Sequence, residues 1–328
     1  MELKNETIAV AINMLDHLKD TYTIDGGGNC MDLFELFSYQ LLYEIGLSIK
    51  KEPEDVPKAY MALKNYGLFE RFNTILDNND QTIIRLFHDR NAVIAELLQV
   101  GDDLRQRSPQ NPGTVRSIIK TAQDIVRMFV PHAWGAVPQL MDVFSEKCIL
   151  TKNAGLVYTP SHIADMVAQL VCLGRPEQLG LSVWDPACGS GELLLKAFDY
   201  IGNKNATCHF VGVEQNDQLR RIAKIGGFFR GLDFELISEN QIPERPPYDI
   251  ILSNPPFGST INTPDNMGIE RSYELPIHTK NPYLQIMQRI FLSLAPSGIA
   301  AVIVPDGFLF NISADYRAVR EWMVDKFQ

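Results

Sequence analysis

Three short stretches carry residue types that could bind and act on a nucleotide-like ligand. DPACGSG occupies 185–191, EQND begins at Glu214, and Asn-Pro-Pro-Phe occupies 254–257. Each stretch follows a short apolar run, as expected where a buried strand ends. Two consecutive prolines cannot continue a strand or a helix, so the chain must end an element there.

The DPACGSG turn is suited to close approach by a ligand, because Gly189 and Gly191 allow a tight backbone. A helix after the turn would offer unpaired N–H groups to an anionic group such as a carboxylate. The pattern is not GxGxxG, since Leu194 replaces the third glycine, and Cys188 rules out GxSxG. No Gly-Lys-Ser/Thr follows, which excludes a P-loop. A tight strand–helix turn without a ligand stays open as an alternative.

Glu214 ends the second apolar run, roughly 20 residues beyond the glycine turn, where an acidic residue can accept hydrogen bonds from ribose hydroxyls. The alternative is a solvated surface glutamate. Together the two motifs indicate a cofactor that contains adenosine, either a dinucleotide or S-adenosylmethionine.

The pattern of apolar residues, which predicts the helices and strands that position these stretches, changes near residue 150. Residues 1–150 repeat apolar positions every three or four residues, which predicts a helical domain with helices in 31–47, 81–104 and 114–129. Residues 151–328 alternate short β-branched runs with helical patterns. This alternation predicts a doubly wound, Rossmann-like α/β domain whose parallel sheet binds ligands at the carboxyl ends of its strands. A loop is predicted at about 258–280.

The composition limits the function classes. The net charge is −10 and the sequence pI is about 5.1, so binding to nucleic acid would need a local basic patch or a basic partner. Five scattered cysteines without a CxxC pair argue against a disulfide framework or a zinc site, and favour the cytoplasm. No apolar run reaches the length of a membrane span.

Asn-Pro-Pro-Phe after a DPACGSG turn resembles the methyltransferases that act on the N6 amino group of adenine in DNA. The resemblance implies S-adenosyl-L-methionine as the cofactor. It also implies that the Asn254 side-chain oxygen and the Pro255 carbonyl accept the two amino hydrogens. Pro255 and Pro256 would fix that carbonyl, and Phe257 would stack on a base that has left the duplex.

The resemblance also supplies a set of cofactor residues. In the family, a Tyr-Thr-Pro segment before the glycine turn closes over the methionine part of the cofactor, and an acidic residue after the third strand lies near its adenine. Glu239 is the candidate for that acidic residue. The implied cofactor contacts are Tyr158, Thr159, Pro160, Asp185, Ala187, Gly189, Ser190, Gly191, Glu214, Glu239 and Asn254.

The order of the motifs, after a helical domain and without an inserted target-recognition domain, resembles the modification subunit of type I restriction–modification systems. This resemblance implies DNA as substrate, a separate specificity subunit that reads its sequence, a restriction nuclease subunit, and a homodimer within the complex. The helical domain 1–150 would contact a partner or DNA. The family's sheet has two further strands, which domain 151–328 is expected to lack.

Other functions fit parts of the pattern. Asn-Pro-Pro with an aromatic residue also serves enzymes that methylate protein glutamine or a guanine amino group of ribosomal RNA, which commonly carry tyrosine at the position of Phe257. A non-catalytic interaction subunit is a further alternative. A dehydrogenase would leave Asn-Pro-Pro-Phe unexplained.

Overall fold

The structure is a computed structural model that divides into two compact units. One unit comprises Met1–Asn153 with Ile225–Leu232, and the other comprises Ala154–Lys224 with Asp233–Gln328. The predicted helix in 81–104 and most of the predicted loop at 258–280 lie outside the described residues. The described residues are 2–26, 29–49, 111–129, 134–151, 158–173, 180–202, 208–232, 234–238, 247–256 and 275–327.

The first unit is built from helices throughout its described part. Its elements are α1 (Glu2–Gly26), α2 (Cys30–Ile49), α3 (Pro112–Phe129), a 3-10 turn (Trp134–Ala136) and α4 (Val137–Thr151). The helices predicted in 31–47 and 114–129 correspond to α2 and α3. In the described part of the chain, no helix is both long and apolar enough to cross a membrane.

Aromatic side chains and one ion pair occupy the interior of this helical unit. Phe144 lies between Phe34 and Phe37, with ring centroids 5.6 and 5.5 Å away. The Arg230 guanidinium donates to the Asp142 carboxylate at 2.6 Å, and both side chains are buried. A buried pair of this kind is costly to break, because either charge alone would remain in the interior.

Cys30 and Cys148 are joined by a disulfide, and their Cα atoms lie 4.9 Å apart. The sequence argued against a disulfide because its cysteines are odd in number and scattered. That expectation is wrong for this pair. The fold brings together the start of α2 and the last turn of α4, which are 118 residues apart in the chain.

The second unit is an α/β domain, which confirms the predicted fold class. Its five strands form a parallel sheet in the order β3-β2-β1-β4-β5. The strands are β1 (Ser182–Asp185), β2 (His209–Val213), β3 (Glu235–Ile237), β4 (Tyr248–Ser253) and β5 (Leu294–Val302). The helices are α5 (Ser161–Cys172), α6 (Glu192–Ala197) with a π-helical turn (Phe198–Gly202), α7 (Asp217–Arg230), α8 (Pro282–Leu292), α9 (Asp306–Phe310) and α10 (Ala314–Lys326). The part of α7 from Ile225 onward belongs to the first unit.

The central strands are apolar because both of their faces are covered. Val183 and Ile250 are fully buried and pair across β1 and β4, and the Trp184 ring stacks on that of Tyr248 with centroids 4.9 Å apart. Such strands read as continuous apolar runs. The apolar runs before the three motifs in the sequence correspond to β1, β2 and β4.

We expect Asp142→Ala to lower the free energy of unfolding by about 3–5 kcal/mol, because it leaves the Arg230 charge buried without this carboxylate. Urea denaturation followed by circular dichroism measures the change. The matched control is Asp124→Ala, which removes an exposed ion pair with Arg127 at 3.3 Å and should cost at most about 1 kcal/mol. Equal losses in the two variants would contradict the assignment of a strong structural role to the buried pair.

Candidate functional site

The site lies at one edge of the sheet, where Asp185, Glu214 and Asn254 end or directly follow three neighbouring strands. Since β2, β1 and β4 are adjacent and parallel, their carboxyl ends meet there. The strand order reverses between β1 and β4. In open α/β sheets, ligands bind in the crevice at such a reversal.

The DPACGSG turn packs directly on β2. Gly189 and Gly191 have φ angles of 56° and 82°, in the left-handed region that favours glycine. The Cys188 N–H donates to the Val213 carbonyl at 2.9 Å. A Cβ at Gly212 would stand 2.8 Å from Cys188 Sγ. Glycine at 212 therefore allows the turn to lie against the strand.

The Glu214 carboxyl is held beside this turn by backbone groups. Its two oxygens accept the Gly189 N–H at 3.1 Å and the Asn216 N–H at 2.7 Å. Arg220 donates to the backbone carbonyls of Glu214 at 2.5 Å and Gln215 at 2.8 Å. The predicted ribose-binding acid and the predicted glycine turn are thus in direct contact.

Asn254 contacts Thr159, which lies 95 residues earlier in the chain. The Asn254 Nδ2 donates to Thr159 Oγ1 at 2.9 Å, and Thr159 is buried. The Asn254 Oδ1 is also buried, and it accepts no hydrogen bond from any residue that the structure describes. The threonine hydroxyl therefore fixes the amide and leaves its oxygen available as an acceptor.

Burial controls the titration of the acidic groups. Burial raises the pKa of Asp185 to about 7, and the charge of Glu214 adds to this rise. The Ala187 N–H, 3.0 Å from the Asp185 carboxylate, lowers the pKa because it stabilises the charged form. Burial likewise raises the pKa of Glu214, opposed by the N–H groups that it accepts. Burial raises the pKa of the Cys188 thiol well above its usual range. A protonated thiol is a poor nucleophile.

The structure brings most of the residues predicted for the site to this edge of the sheet. Tyr158 and Pro160 flank Thr159 directly before α5, and Ser190 is buried within the glycine turn. Pro255 is buried and Pro256 is half-buried. Phe257 and Glu239 lie outside the described residues. Within the described ranges, no three His, Cys, Asp or Glu side chains are grouped so as to hold a metal ion.

Sequence reasoning missed two residues that shape the site. Asn216 caps α7, since its Oδ1 accepts the N–H groups of Gln218 at 2.9 Å and Leu219 at 3.2 Å. An asparagine directly before a helical run is a known cap signal and could have been recognised. Arg220 left no such signal, because its partners at the site are backbone carbonyls of a turn that only the fold defines.

The raised pKa of Asp185 predicts a pH-dependent stability. Between about pH 4 and pH 7 the folded chain holds a proton that the unfolded chain releases. The contribution of Asp185 therefore becomes less favourable as pH rises, by up to about 1.4 kcal/mol per pH unit. Asp185→Asn keeps an acceptor for Ala187 but does not titrate. The unfolding free energy of the wild type should fall relative to that of Asp185→Asn across this range, as measured by urea denaturation. Parallel curves would contradict the buried, protonated carboxyl.

Comparison with known proteins finds a DNA methylase family and methylase subunits of type I restriction enzymes. The profile of the N-6 DNA Methylase family matches residues 138–328. The EcoEI methylase subunit of a type I restriction enzyme from Escherichia coli is 29% identical over 175 residues, which cover 48% of this chain and 34% of that protein. The EcoKI methylase subunit from Escherichia coli strain K12 is 28% identical over 351 residues, covering 94% of this chain and 59% of that protein.

The fold also matches a solved structure. The crystal structure of the methyltransferase subunit of a type I restriction-modification system from Streptococcus thermophilus superposes with a TM-score of 0.61 at 17% identity. The match covers 99% of this chain and 78% of that one. The chain spans between about a third and three-fifths of the length of these two Escherichia coli relatives.

Proposed function

We propose that this chain, which belongs to the N-6 DNA methylase family, transfers a methyl group from S-adenosyl-L-methionine to the N6 amino group of adenine in DNA. The family membership supports DNA methylation. The observation that carries the choice of an amino group is the Asn254 carboxamide, whose buried Oδ1 accepts no hydrogen bond from the described residues. A buried acceptor without a partner is costly, and an incoming amino group would satisfy it.

The site residues fit S-adenosylmethionine. Asp185 is fully buried, and no described lysine or arginine pairs with it, so a cationic ligand would be favoured there. Glu214 would accept the ribose hydroxyls, and the turn around Gly189 would allow close approach of the cofactor. Tyr158, Thr159 and Pro160 would cover the methionine part. The remaining proposed cofactor contacts are Ala187, Ser190, Gly191, Glu239 and Asn254.

Asn254 and Pro255 would activate the substrate nitrogen. An adenine amino group is a weak nucleophile because its lone pair is delocalised into the ring. The Asn254 Oδ1 and the Pro255 carbonyl would each accept one N–H and draw the nitrogen toward tetrahedral geometry. Bound S-adenosylmethionine supplies a methyl group made electrophilic by the attached sulfonium. As the nitrogen–carbon bond forms, the methyl–sulfur bond would break and leave the cofactor as a neutral thioether. Asn254 is not a base, so the amino proton would pass to solvent.

The protein groups would therefore act by aligning the adenine nitrogen with the methyl group rather than by acid–base chemistry. Pro255 and Pro256 would restrict the backbone at the end of β4, and Phe257 would stack on the extruded adenine. Thr159 would hold the Asn254 amide in the orientation that presents oxygen to the substrate. Alignment of this kind can supply a large part of a rate enhancement.

We also propose that sequence recognition resides in a partner. The net charge of −10 is unfavourable for unaided binding of DNA. A specificity subunit would read the bases, a restriction nuclease subunit could join the complex, and two copies of this chain would act together. The helical domain 1–150 would contact the partner or DNA, and domain 151–328 would hold the methylation site.

Asn254→Ala should abolish methylation, with a loss of about a hundredfold or more, because it removes a preorganised polar contact to the reacting group. Sequencing of the source genome for N6-methyladenine, with wild-type chain and with Asn254→Ala, measures the effect. The wild type should modify one defined sequence that the variant leaves unmodified. The purified variant should still bind S-adenosylmethionine in calorimetry, with its affinity lowered by no more than the one cofactor contact proposed for Asn254.

Two results would contradict the proposal. An unchanged map of adenine methylation would exclude this chain as an active DNA methyltransferase in that strain. Methyl transfer to a protein glutamine or to ribosomal RNA that is lost in Asn254→Ala would place the same chemistry on another substrate.

Thr159→Val should lower kcat by roughly five- to tenfold, the equivalent of one lost hydrogen bond, because the Asn254 amide would lose the contact that orients it. Thr159→Ser is the matched control, since it keeps the hydroxyl and should retain most of the wild-type kcat. Steady-state methylation of an oligonucleotide by the assembled complex measures both. If Thr159→Val and Thr159→Ser reduce kcat equally, Thr159 does not act through its hydroxyl.

A further inference from the structure

Three large apolar side chains are exposed on the segment that follows β5: Leu309 at 50%, and the more exposed Phe310 and Ile312. Phe310 is 75% exposed and Ile312 is 85% exposed, whereas Phe308 between β5 and these residues is only 4% exposed. The segment thus has one covered side and one open side. Exposed apolar side chains of this size that lie together often mark a binding surface.

The open side chains are held in place rather than trailing on a loose loop. The Phe308 ring packs edge-on against Tyr283, with centroids 5.8 Å apart. Arg320 donates to the backbone carbonyls of Phe308 at 2.7 Å and Asn311 at 2.8 Å. Buried ring contacts and two charge-assisted hydrogen bonds therefore fix the backbone that carries Phe310 and Ile312.

This segment lies at the same edge of the sheet as the candidate site. The Ile303 N–H donates to the Ser253 carbonyl at 2.9 Å, so the end of β5 lies beside the end of β4, where Asn254 follows. The Tyr248 N–H, at the start of β4, donates to the Ser293 carbonyl at 2.8 Å. The far end of α8 is therefore at the opposite edge, and α8 begins on the side of the site.

A strip of chain directly before α8 presents the cation Lys280 at this edge. Along 275–280 the side chains alternate, with Thr279 covered and His278 and Lys280 exposed. Gln288 is fully buried, and it both accepts the Ile277 N–H at 2.8 Å and donates to the Ile277 carbonyl at 3.1 Å. These bonds hold the strip so that Lys280 points into solvent.

The same edge carries an exposed arginine on α10. The Thr279 hydroxyl donates to the Asp315 carboxylate at 2.6 Å, which joins the strip to the first turn of α10. Arg317 follows two residues later, one helical turn before Arg320, and is exposed. Neither Lys280 nor Arg317 forms an ion pair with a residue in the described part of the chain.

We propose that Lys280, Phe310, Ile312 and Arg317, here called the edge surface, contact the DNA duplex beside the target adenine. The inference rests on the proposed function and adds to it the surface that would receive the substrate. Lys280 and Arg317 bind phosphates. Phe310 and Ile312 lie against base edges or enter the stack that the adenine vacates, as apolar side chains do in proteins that deform DNA.

Charge favours DNA over a protein partner as the occupant. Lys280 and Arg317 are exposed, and neither forms an ion pair with a side chain in the described ranges, so both charges are available to a polyanion such as DNA. The neighbouring carboxylate of Asp315 is already engaged by Thr279. Cations that flank an apolar ridge match a duplex, in which phosphates flank stacked bases.

Two double variants test the edge surface in the complex with its specificity partner. Lys280→Ala with Arg317→Ala should lower the salt dependence of DNA affinity, reducing the slope of log K against log salt by about 2 in magnitude. Phe310→Ala with Ile312→Ala should lower the methylation rate about five- to hundredfold. A target adenine placed opposite an abasic site should restore much of that rate, because such a base needs less energy to leave the stack.

The control is Val324→Ala with Lys326→Ala, which removes one exposed apolar and one exposed basic residue from the other end of α10. That end lies away from the site, since the Phe327 ring packs near Phe291 at the end of α8, with centroids 5.2 Å apart. This control should retain the wild-type salt slope and rate. Circular dichroism of all three variants should match the wild type.

Three results would overturn the inference. The first is an unchanged salt slope and rate in both test variants while Asn254→Ala still abolishes methylation, which leaves the proposed function intact. The second is loss of the specificity partner on co-purification with DNA binding otherwise unchanged, which would assign the edge surface to a protein interface. The third is an effect of the control as large as that of the test variants. If the wild type methylates no DNA, the proposed function fails, and the salt slope still decides whether the edge surface binds DNA.

Discussion

The parallel pairing of β1 with β2 on one side and β4 on the other is the constraint on which the site depends. It brings three chain segments, each following a different strand, to one edge of the sheet. The register is supported where the glycine turn lies on Gly212, since any side chain there would meet Cys188, Leu194 and Leu236 within 3.0 Å. A shift of one residue would reverse the faces of β2 and put a side chain under the turn. The pairing of β1 with β2 and β4 therefore determines both the close packing of the glycine turn and the positions of the residues that would bind a ligand.

The same close packing sets the electrostatics. A turn pressed against the sheet excludes water from Asp185, and desolvation is the largest cause of its raised pKa. Glu214 avoids part of this cost because two backbone N–H groups bind its carboxylate. The edge thus holds one acid, Glu214, whose carboxyl accepts the N–H groups of Gly189 and Asn216, and a more deeply buried acid, Asp185, that accepts the backbone N–H of Ala187. A cation with hydroxyl groups would stabilise both, which supports S-adenosylmethionine over a neutral ligand as the proposed cofactor.

The sequence predicted the strands and the motif residues because these depend on local patterns. Apolar β-branched runs identify buried strands, and the positive φ angles at Gly189 and Gly191 have a direct signature in residue type. Contacts across the fold have no such signature. The bond between Thr159 and Asn254, the clamp of Gln288 on Ile277 and the joining of Cys30 to Cys148 all depend on how distant segments pack. The disulfide was for this reason predicted wrongly.

The proposed function requires an acidic chain to bind DNA, so the potential at its site must differ from the one that its net charge suggests. At physiological ionic strength, screening limits the repulsion from distant carboxylates to a range of about 8 Å, so the groups nearest a phosphate dominate the local potential. Lys280 and Arg317 can therefore attract a duplex although the chain as a whole carries −10. Two cations cannot supply the affinity of a stable complex with DNA, since each phosphate contact adds only one increment to the salt-dependent term. The edge surface is accordingly suited to orienting DNA that a more basic partner has already bound.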